Sequence, residues 1–345
     1  MEVAMRTEDW AVKKAKLLAS PPLYAPADSR PRYLEASSTG PGAGRRAVFI
    51  AYSGRRLIKE VSREPMDGSY SLKKDRERYT IISPDGEIFL DDVQVERSII
   101  HAPRQAFLNI EQRCIFSCRF CASSTIRNRT YILSDEKVMA MLEGAVQKGA
   151  EGVALTSGVW PDTNSAVKRV AHLLSEFHER HPEIPLGAEI YTEERRDLIR
   201  LREAGVSELK LNVEAATEAL CEKICPEKNF EAVHSALKEA SSIFERVTSN
   251  IIYGLGESDD AVIHEAERLA DMGVIPNLRA LRITPALERR LRDAGTGPET
   301  PNSARMLRLA EALKSILEKR ELTTSGFRTM CHACGACDIQ PFIDF

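Results

Sequence analysis

The sequence predicts an α/β fold: a partial (β/α)6 barrel over residues 101–300, preceded by a small α+β extension over 1–100 and followed by a cysteine-rich tail over 301–345. Three observations predict it. From about residue 101, short apolar strands alternate with helical stretches, the pattern of a parallel sheet covered by helices. The first of these strands runs directly into Cys114-Ile-Phe-Ser-Cys118-Arg-Phe-Cys121, and the C-terminal ends of barrel strands are where such folds build active sites. A second triplet, Cys331-His-Ala-Cys334-Gly-Ala-Cys337, follows the last predicted helix.

At 345 residues the chain can bury a substantial core as one large domain with appendages. A net charge of −3 with 29% charged residues offers no global basic field for a nucleic acid. Residues 1–20 mix Glu, Asp and Lys with apolar residues, unlike a signal peptide, and no run approaches the ~20 apolar residues of a membrane span. The expectation is a soluble cytoplasmic protein with no membrane contact. The cytosol keeps thiols reduced, so the eight cysteines read as metal ligands and not as disulfides.

In the extension, Glu8 to Leu18 has helical spacing with Trp10, Val12, Ala15 and Leu18 on one face. Prolines 21, 22, 26 and 31 and the Ser-Thr-Gly-Pro-Gly-Ala-Gly run at 38–44 read as loop. Arg46 to Tyr52 reads as a strand, and Tyr79 to Ser83 with Glu87 to Leu90 as a hairpin turning on Pro84-Asp85-Gly86. No chemistry shows here. The expected role is a cap over part of the core or over substrate access, a purely structural extension being the plainer alternative.

In the barrel, Gln105 to Ile110 is the first strand. Ser134 and Glu136 open a helix to about Lys148, with Val138, Met141, Leu142 and Val146 apolar. Gly152 to Thr156 is the second strand, ending in Ser157-Gly158-Val-Trp160, and Gly187 to Tyr191 the third. The next helix carries Leu198, Ile199 and Leu201 and ends near Gly205. Glu208 to Glu214 is the fourth strand. Its period of two puts Lys210, Asn212 and Glu214 on one side and Leu209, Leu211 and Val213 on the other. Polar groups inside a barrel are costly unless they bind something, so Asn212 and Glu214 become binding candidates. Cys221 and Cys225 share a helix face and read as core thiols. Arg246 to Gly254 is the fifth strand, closing in Gly254-Leu-Gly256-Glu257, and Asp259 to Met272 the helix after it. Arg279 to Pro285 is the sixth strand, bringing Arg279 or Arg282 near the cavity or to a surface ion pair. Pro301 to Glu321 is an amphipathic helix with Met306, Leu309, Leu313, Ile316 and Leu317 on its apolar side.

Three thiolates on one loop are one short of the four ligands of a tetrahedral zinc or a cubane cluster, and the x3 then x2 spacing differs from zinc-finger pairs. The segment resembles the signature of radical S-adenosylmethionine (SAM) enzymes, against the plainer alternatives of a structural metal knot or reduced core cysteines. That resemblance implies a [4Fe–4S] cluster on Cys114, Cys118 and Cys121, with the open iron binding SAM and Phe120 near the adenine. It also implies that the strand with Asn212 and Glu214 contacts SAM and substrate, and that Gly254 and Gly256 let the backbone approach the adenosine, with Ser249 or Asn250 at the sugar or carboxylate. Thr156-Ser157-Gly158 stands where these proteins carry a Gly-Gly-Glu-like motif for the SAM amino group; lacking the carboxylate, it is a departure. No catalytic side chain beyond the cluster ligands is implied.

In the tail, C-x2-C-x2-C followed by Pro is close to a ferredoxin-type run and points to a second iron–sulfur cluster on Cys331, Cys334 and Cys337, [4Fe–4S] in type. A zinc site completed by His332 or a distant residue is the alternative. A fourth cluster ligand could come from His332, Asp338, Cys221 or Cys225, or the iron could be open.

Over about residues 100–290 the chain is similar to biotin-synthase-related radical SAM proteins. It departs from biotin synthase in its tail cysteines and extra N-terminal cap, and best resembles the biotin-synthase-like proteins that act as archaeal two-component lipoyl synthases. The resemblance implies reductive cleavage of SAM to a 5′-deoxyadenosyl radical and sulfur insertion, as in octanoyl-to-lipoyl conversion or biotin synthesis. Implied partners are an octanoylated carrier protein, a second biotin-synthase-like protein and a reductant such as ferredoxin. The alternatives are a radical SAM step in assembling another cofactor, with a tail cluster that survives turnover, and a non-catalytic iron–sulfur scaffold or electron carrier.

Overall fold

Apolar residues three to four apart fold the first segment into helix α1 (Thr7–Ala19). In this computed structural model, which describes residues 7–32, 35–36, 46–125 and 132–345, Trp10, Ala15 and Leu18 are buried as expected. Val12 instead faces solvent, and the charged Lys14 takes a place on the buried face. The glycine-rich stretch 38–44 lies outside the described residues.

Seven strands follow: β1 (Leu23–Tyr24), β2 (Glu35–Ala36), β3 (Arg46–Tyr52), β4 (Arg55–Ser62), β5 (Ser71–Asp75), β6 (Arg78–Ile82) and β7 (Ile88–Glu96). They form one sheet in the order β2-β3-β4-β1-β5-β6-β7, and β3 pairs with both β4 and β7, so the sheet closes on itself. The strand at 46–52 and the 79–90 hairpin are present, the latter turned by Gly86 N–H donating to Ser83 O (3.0 Å). Strands β4 and β5 had no clear sequence signal because charged residues crowd both faces of their alternation.

The second sheet holds β8 (His101–Ala102), β9 (Gln105–Glu111), β10 (Val153–Ser157), β11 (Leu186–Glu189), β12 (Val206–Lys210), β13 (Arg246–Tyr253) and β14 (Ile275–Ala280), side by side in chain order. Strands β9 to β14 are parallel, and β8 runs antiparallel along the β9 edge. Between them run α2 (Asp135–Gln147), α3 (Thr163–Arg180), α4 (Arg195–Glu203), α5 (Glu218–Ile224), α6 (Phe230–Ile243) and α7 (Asp259–Asp271). Every crossover steps the same way, so the sheet curls into a half-barrel with helices outside. Ser134 caps α2 and Ser258 caps α7 through side-chain oxygens, the local chemistry that the sequence advertises. Among the described residues no helix is long and apolar enough to cross a membrane.

Two strands of the half-barrel differ from the sequence reading by more than two residues. The fourth strand stops at Lys210, and the chain beyond it follows β13 irregularly, Glu214 N–H donating to Asn250 O (2.9 Å) from a left-handed backbone (φ 67°). The sixth strand begins at Ile275. Pro276 argues against a strand in sequence, yet β14 is an edge strand and tolerates it. Arg282 consequently lies in the turn before α8 (Pro285–Asp293).

After α9 (Ser303–Glu318), whose five expected apolar residues are all buried, the chain returns beneath the half-barrel. Glu208 accepts hydrogen bonds from Arg328 N (2.7 Å), Thr329 N (2.8 Å) and Thr329 Oγ1 (2.6 Å). Gln105 bonds the Met330 backbone twice (2.6 and 2.8 Å). A side chain at Gly187 would collide with Thr329, so glycine admits the tail there. Gln105 and Gly187 lie at the N-terminal ends of their strands, and Glu208 lies midway along its own. The tail, with short helix α10 (Met330–Cys334), therefore plugs the end of the half-barrel opposite the Cys114 loop.

Candidate functional site

Strand β9 delivers the first cysteine loop, and two neighbouring segments brace it. On one side, Gly158 N donates to Glu111 O (2.8 Å), Ile115 N to Val159 O (2.8 Å), and Val159 N to Cys114 Sγ (3.4 Å). On the other, Arg119 N donates to Ile224 O (2.7 Å) and Arg290 to Cys121 O (3.1 Å). Burial pushes the Cys114 and Cys121 thiols up. Cys118 moves the other way because the Cys225 thiol donates to it, and the same bond raises Cys225. Cys221 and Cys225, candidates to complete the tail site, thus pack at the first cysteine loop, beside Cys118.

The half-barrel and the cap together line a partly open cavity of about 1190 Å³, just above the usual range for ligand sites. Cys114, Cys118 and Cys121 line it, and so do Cys331 and Cys337. Cys334 turns aside, against Phe49 and Ala336. Of the predicted cofactor-binding residues, Phe120, Thr156, Ser157, Gly158, Asn212, Glu214 and Asn250 line the cavity. Gly254 and Gly256 do not. A Cβ on Gly254 (φ 99°) would sit 2.5 Å from Glu299 O, and one on Gly256 would sit 2.9 Å from Gly297 N. Their missing side chains make room for the 297–301 chain. Glu257 completes that turn by accepting from Gly254 N (2.7 Å) and Leu255 N (2.8 Å).

A ladder of side-chain bonds crosses the inner face. Asn212 donates to Glu189 (2.9 Å) and accepts from Asn250 N (3.1 Å). Asn250 accepts from Asn277 (2.7 Å), which accepts from Gln340 of the tail (2.8 Å). At its other end Glu189 pairs with Lys210 (3.1 Å), which donates to Cys331 Sγ (3.2 Å). Burial opposes the charge on Lys210, but Cys331 and Glu189 outweigh it and raise its pKa. Burial likewise opposes ionisation of Glu189, yet Lys210 and Asn212 hold its carboxyl below the usual range.

Glu214 stands 3.6 Å from Lys228 Nζ. Burial raises the Glu214 carboxyl even so, while Glu214 and Cys118 overcome burial to keep Lys228 protonated. Lys228 also lies over the Tyr191 ring. Sequence reasoning missed Glu189, Tyr191 and Lys228. The period-two rule that found Lys210 also fits Glu189, but Lys228 sits in a Pro-Glu-Lys-Asn turn that reads as surface.

The two tail residues offered as a fourth ligand are otherwise committed. His332 bonds Thr248 Oγ1 (2.9 Å) and Gln340 Oε1 (2.6 Å), and burial lowers its pKa to about 4, so it is neutral. Asp338 pairs with Arg279 (2.5 Å) and accepts from Ala280 N (3.1 Å). Arg282 donates to Cys337 O (2.5 Å). Burial, with Cys337 and Cys331 beside it, pushes Cys334 up to about 12.

Among the described residues no three His, Cys, Asp or Glu side chains converge as a single metal ion requires. Thiols spread along a wall, with Lys228 beside Cys118 and Lys210 and Arg279 beside Cys331, suit a polynuclear cluster, whose thiolates sit on separate irons.

Comparison with known proteins agrees. The chain is 26% identical over 165 residues to a biotin synthase of Sulfurihydrogenibium sp. (strain YO3AOP1), covering 47% of this chain and 49% of that one. It is 28% identical over 166 residues to a biotin synthase of Thermotoga neapolitana, covering 47% and 58%. The chain thus spans about half the length of the curated relatives it matches. Among solved structures, methylornithine synthase (PylB) aligns with a TM-score of 0.48 at 19% identity, over 61% of this chain and 64% of that one. Residues 108–269, just under half of the chain, match the Radical SAM superfamily model, and the match takes in the three-cysteine loop at the end of the first parallel strand.

Proposed function

We propose that the protein is a radical SAM enzyme that inserts sulfur into an unactivated C–H position, as in conversion of an octanoyl group on a carrier protein to lipoyl, with the tail triad holding a second iron–sulfur cluster. One observation carries this reading: cysteines of both triads line the same cavity. A cluster serving only as an electron carrier has no need to face substrate, whereas a sulfur donor does.

When bound, a cluster on Cys114, Cys118 and Cys121 together with SAM supplies one-electron chemistry able to take hydrogen from an unactivated carbon. The chain's own residues do the rest. The 157–159 turn and the 224–228 segment hold the first loop from both sides. The Glu214–Lys228 pair and the backbone at Thr156-Ser157-Gly158 offer groups of both signs to the amino and carboxylate ends of an amino acid. The ladder from Asn212 to Gln340 occupies its own amides, so Asn212 and Asn250 act by fixing the wall more than by offering free donors. Lys210 and Arg279 offset thiolate charge at the tail site. The tail itself closes the barrel floor against water.

Anaerobic turnover of the reconstituted protein with SAM, dithionite and an octanoyl-lysine peptide tests the reading, with and without a biotin-synthase-like companion protein. The expected result is 5′-deoxyadenosine together with a sulfur-bearing peptide, the latter lost in Cys334→Ala. Deoxyadenosine with no sulfur product from any acyl substrate would move the function to a radical step with a surviving tail cluster. Neither product, from protein with intact clusters, would return it to a non-catalytic iron–sulfur protein.

A further inference from the structure

The N-terminal cap shows no chemistry of its own, yet it carries one half of a fully buried ion pair. Lys14 of α1 is 0% exposed, and its Nζ donates to Asp344 Oδ2 (2.7 Å), also 0% exposed, and to Gly335 O (2.5 Å). Trp10 Nε1 donates to the other oxygen of Asp344 (2.7 Å), and Gln340 N donates to Oδ2 (2.7 Å). From β4, Ile58 N donates to Ala336 O (2.9 Å) and Arg55 to Ile343 O (3.0 Å). Phe49 of β3 packs on Ala336 beside Cys334.

Burying a lysine–aspartate pair costs desolvation that its attraction barely repays, so such a pair is a poor stabiliser, and a role in fixing geometry is the better reason to keep it. Here the geometry is specific. Gly335 and Ala336 are the two residues between Cys334 and Cys337, and the cap holds both carbonyls. Gly335 is left-handed (φ 66°), a turn that puts its carbonyl where Lys14 meets it.

We propose that the cap is the clamp of the tail metal site: Lys14, through the Gly335 carbonyl and Asp344, holds the Cys331–Cys334–Cys337 loop in the shape that binds iron. The proposal rests on the tail triad being a cluster site. Lys14 and Asp344 are positioning residues. They touch neither the cavity nor a cysteine sulfur.

Iron and acid-labile sulfide counts on anaerobically reconstituted protein test it, in wild type, Lys14→Met, the doubly apolar Lys14→Met/Asp344→Leu, and the Cys331/Cys334/Cys337 triple alanine variant. Iron is expected to fall from about eight to about four atoms per chain in both clamp variants and in the triple variant. SAM binding at the first cluster, read by its electron paramagnetic resonance shift, should stay intact. The double variant leaves no buried charge unpaired, so it decides the question if Lys14→Met alone fails to fold. Either clamp variant folded and holding wild-type iron would overturn the clamp. Wild type holding only as much iron as the triple variant would overturn the tail cluster instead.

Discussion

At the residue scale, burial favours the protonated form of three triad thiols, while Cys118 moves the other way. Cys114, Cys121 and Cys334 all lie above the ordinary thiol range, and a thiol binds iron only after losing its proton. Cluster loading should therefore release protons and speed up as pH rises from about 7 to about 9. Absorbance near 400 nm during reconstitution reads this, and a flat pH profile would show that the thiols are ionised beforehand. Lys228 has the converse role, a buried cation beside Cys118 and Glu214. Lys228→Met strands a buried carboxylate, at a cost of about 3 kcal/mol measured by denaturant unfolding of the cluster-free protein. An unchanged midpoint would mean that Glu214 is protonated without its partner.

At the element scale, the strand–helix alternation and the cysteine spacing were legible because they follow from local periodicity and ligand count. What was not legible depends on who packs against whom. Pro276 concealed the start of β14 because its edge position comes only from strand order. Lys14 falls on an apolar stripe, and its partners Gly335 and Asp344, 321 and 330 residues away, explain it. The Gly254-Leu-Gly256-Glu257 turn was readable as a motif but not as a mechanism. Its glycines admit the 297–301 chain, and Glu257 is neutralised by Arg305 (2.9 Å), which also pairs with Asp259 (2.6 Å) and Glu299 (2.8 Å). Arg305→Ala should thus destabilise by about 3 kcal/mol through loss of this hub. A loss below about 0.5 kcal/mol in the same unfolding experiment would show that the surrounding charges relax into water.

At the scale of the whole molecule, three layers stack: cap, tail and half-barrel. The tail packs against both of the others, and cap residues such as Pro21, Ile58 and Lys59 also line the cavity, so the first hundred residues support both the tail and the chamber. Both cysteine triads could be picked out from sequence; that they share one cavity could not, because the tail's path beneath the sheet is set by Glu208, Gln105 and Gly187 acting together. Gly187→Ala should accordingly unseat Thr329 and open the barrel floor, seen as faster hydrogen exchange across residues 328–340 with the first cluster still loaded. Unchanged protection there would place the tail's hold elsewhere. The most direct test of the shared cavity is an electron paramagnetic resonance spectrum of the fully reduced, reconstituted protein. Two clusters facing one chamber should couple magnetically, giving a split, fast-relaxing signal that collapses to a simple one when either triad is replaced by alanine. A wild-type spectrum equal to the sum of the two single-triad variants would contradict the arrangement.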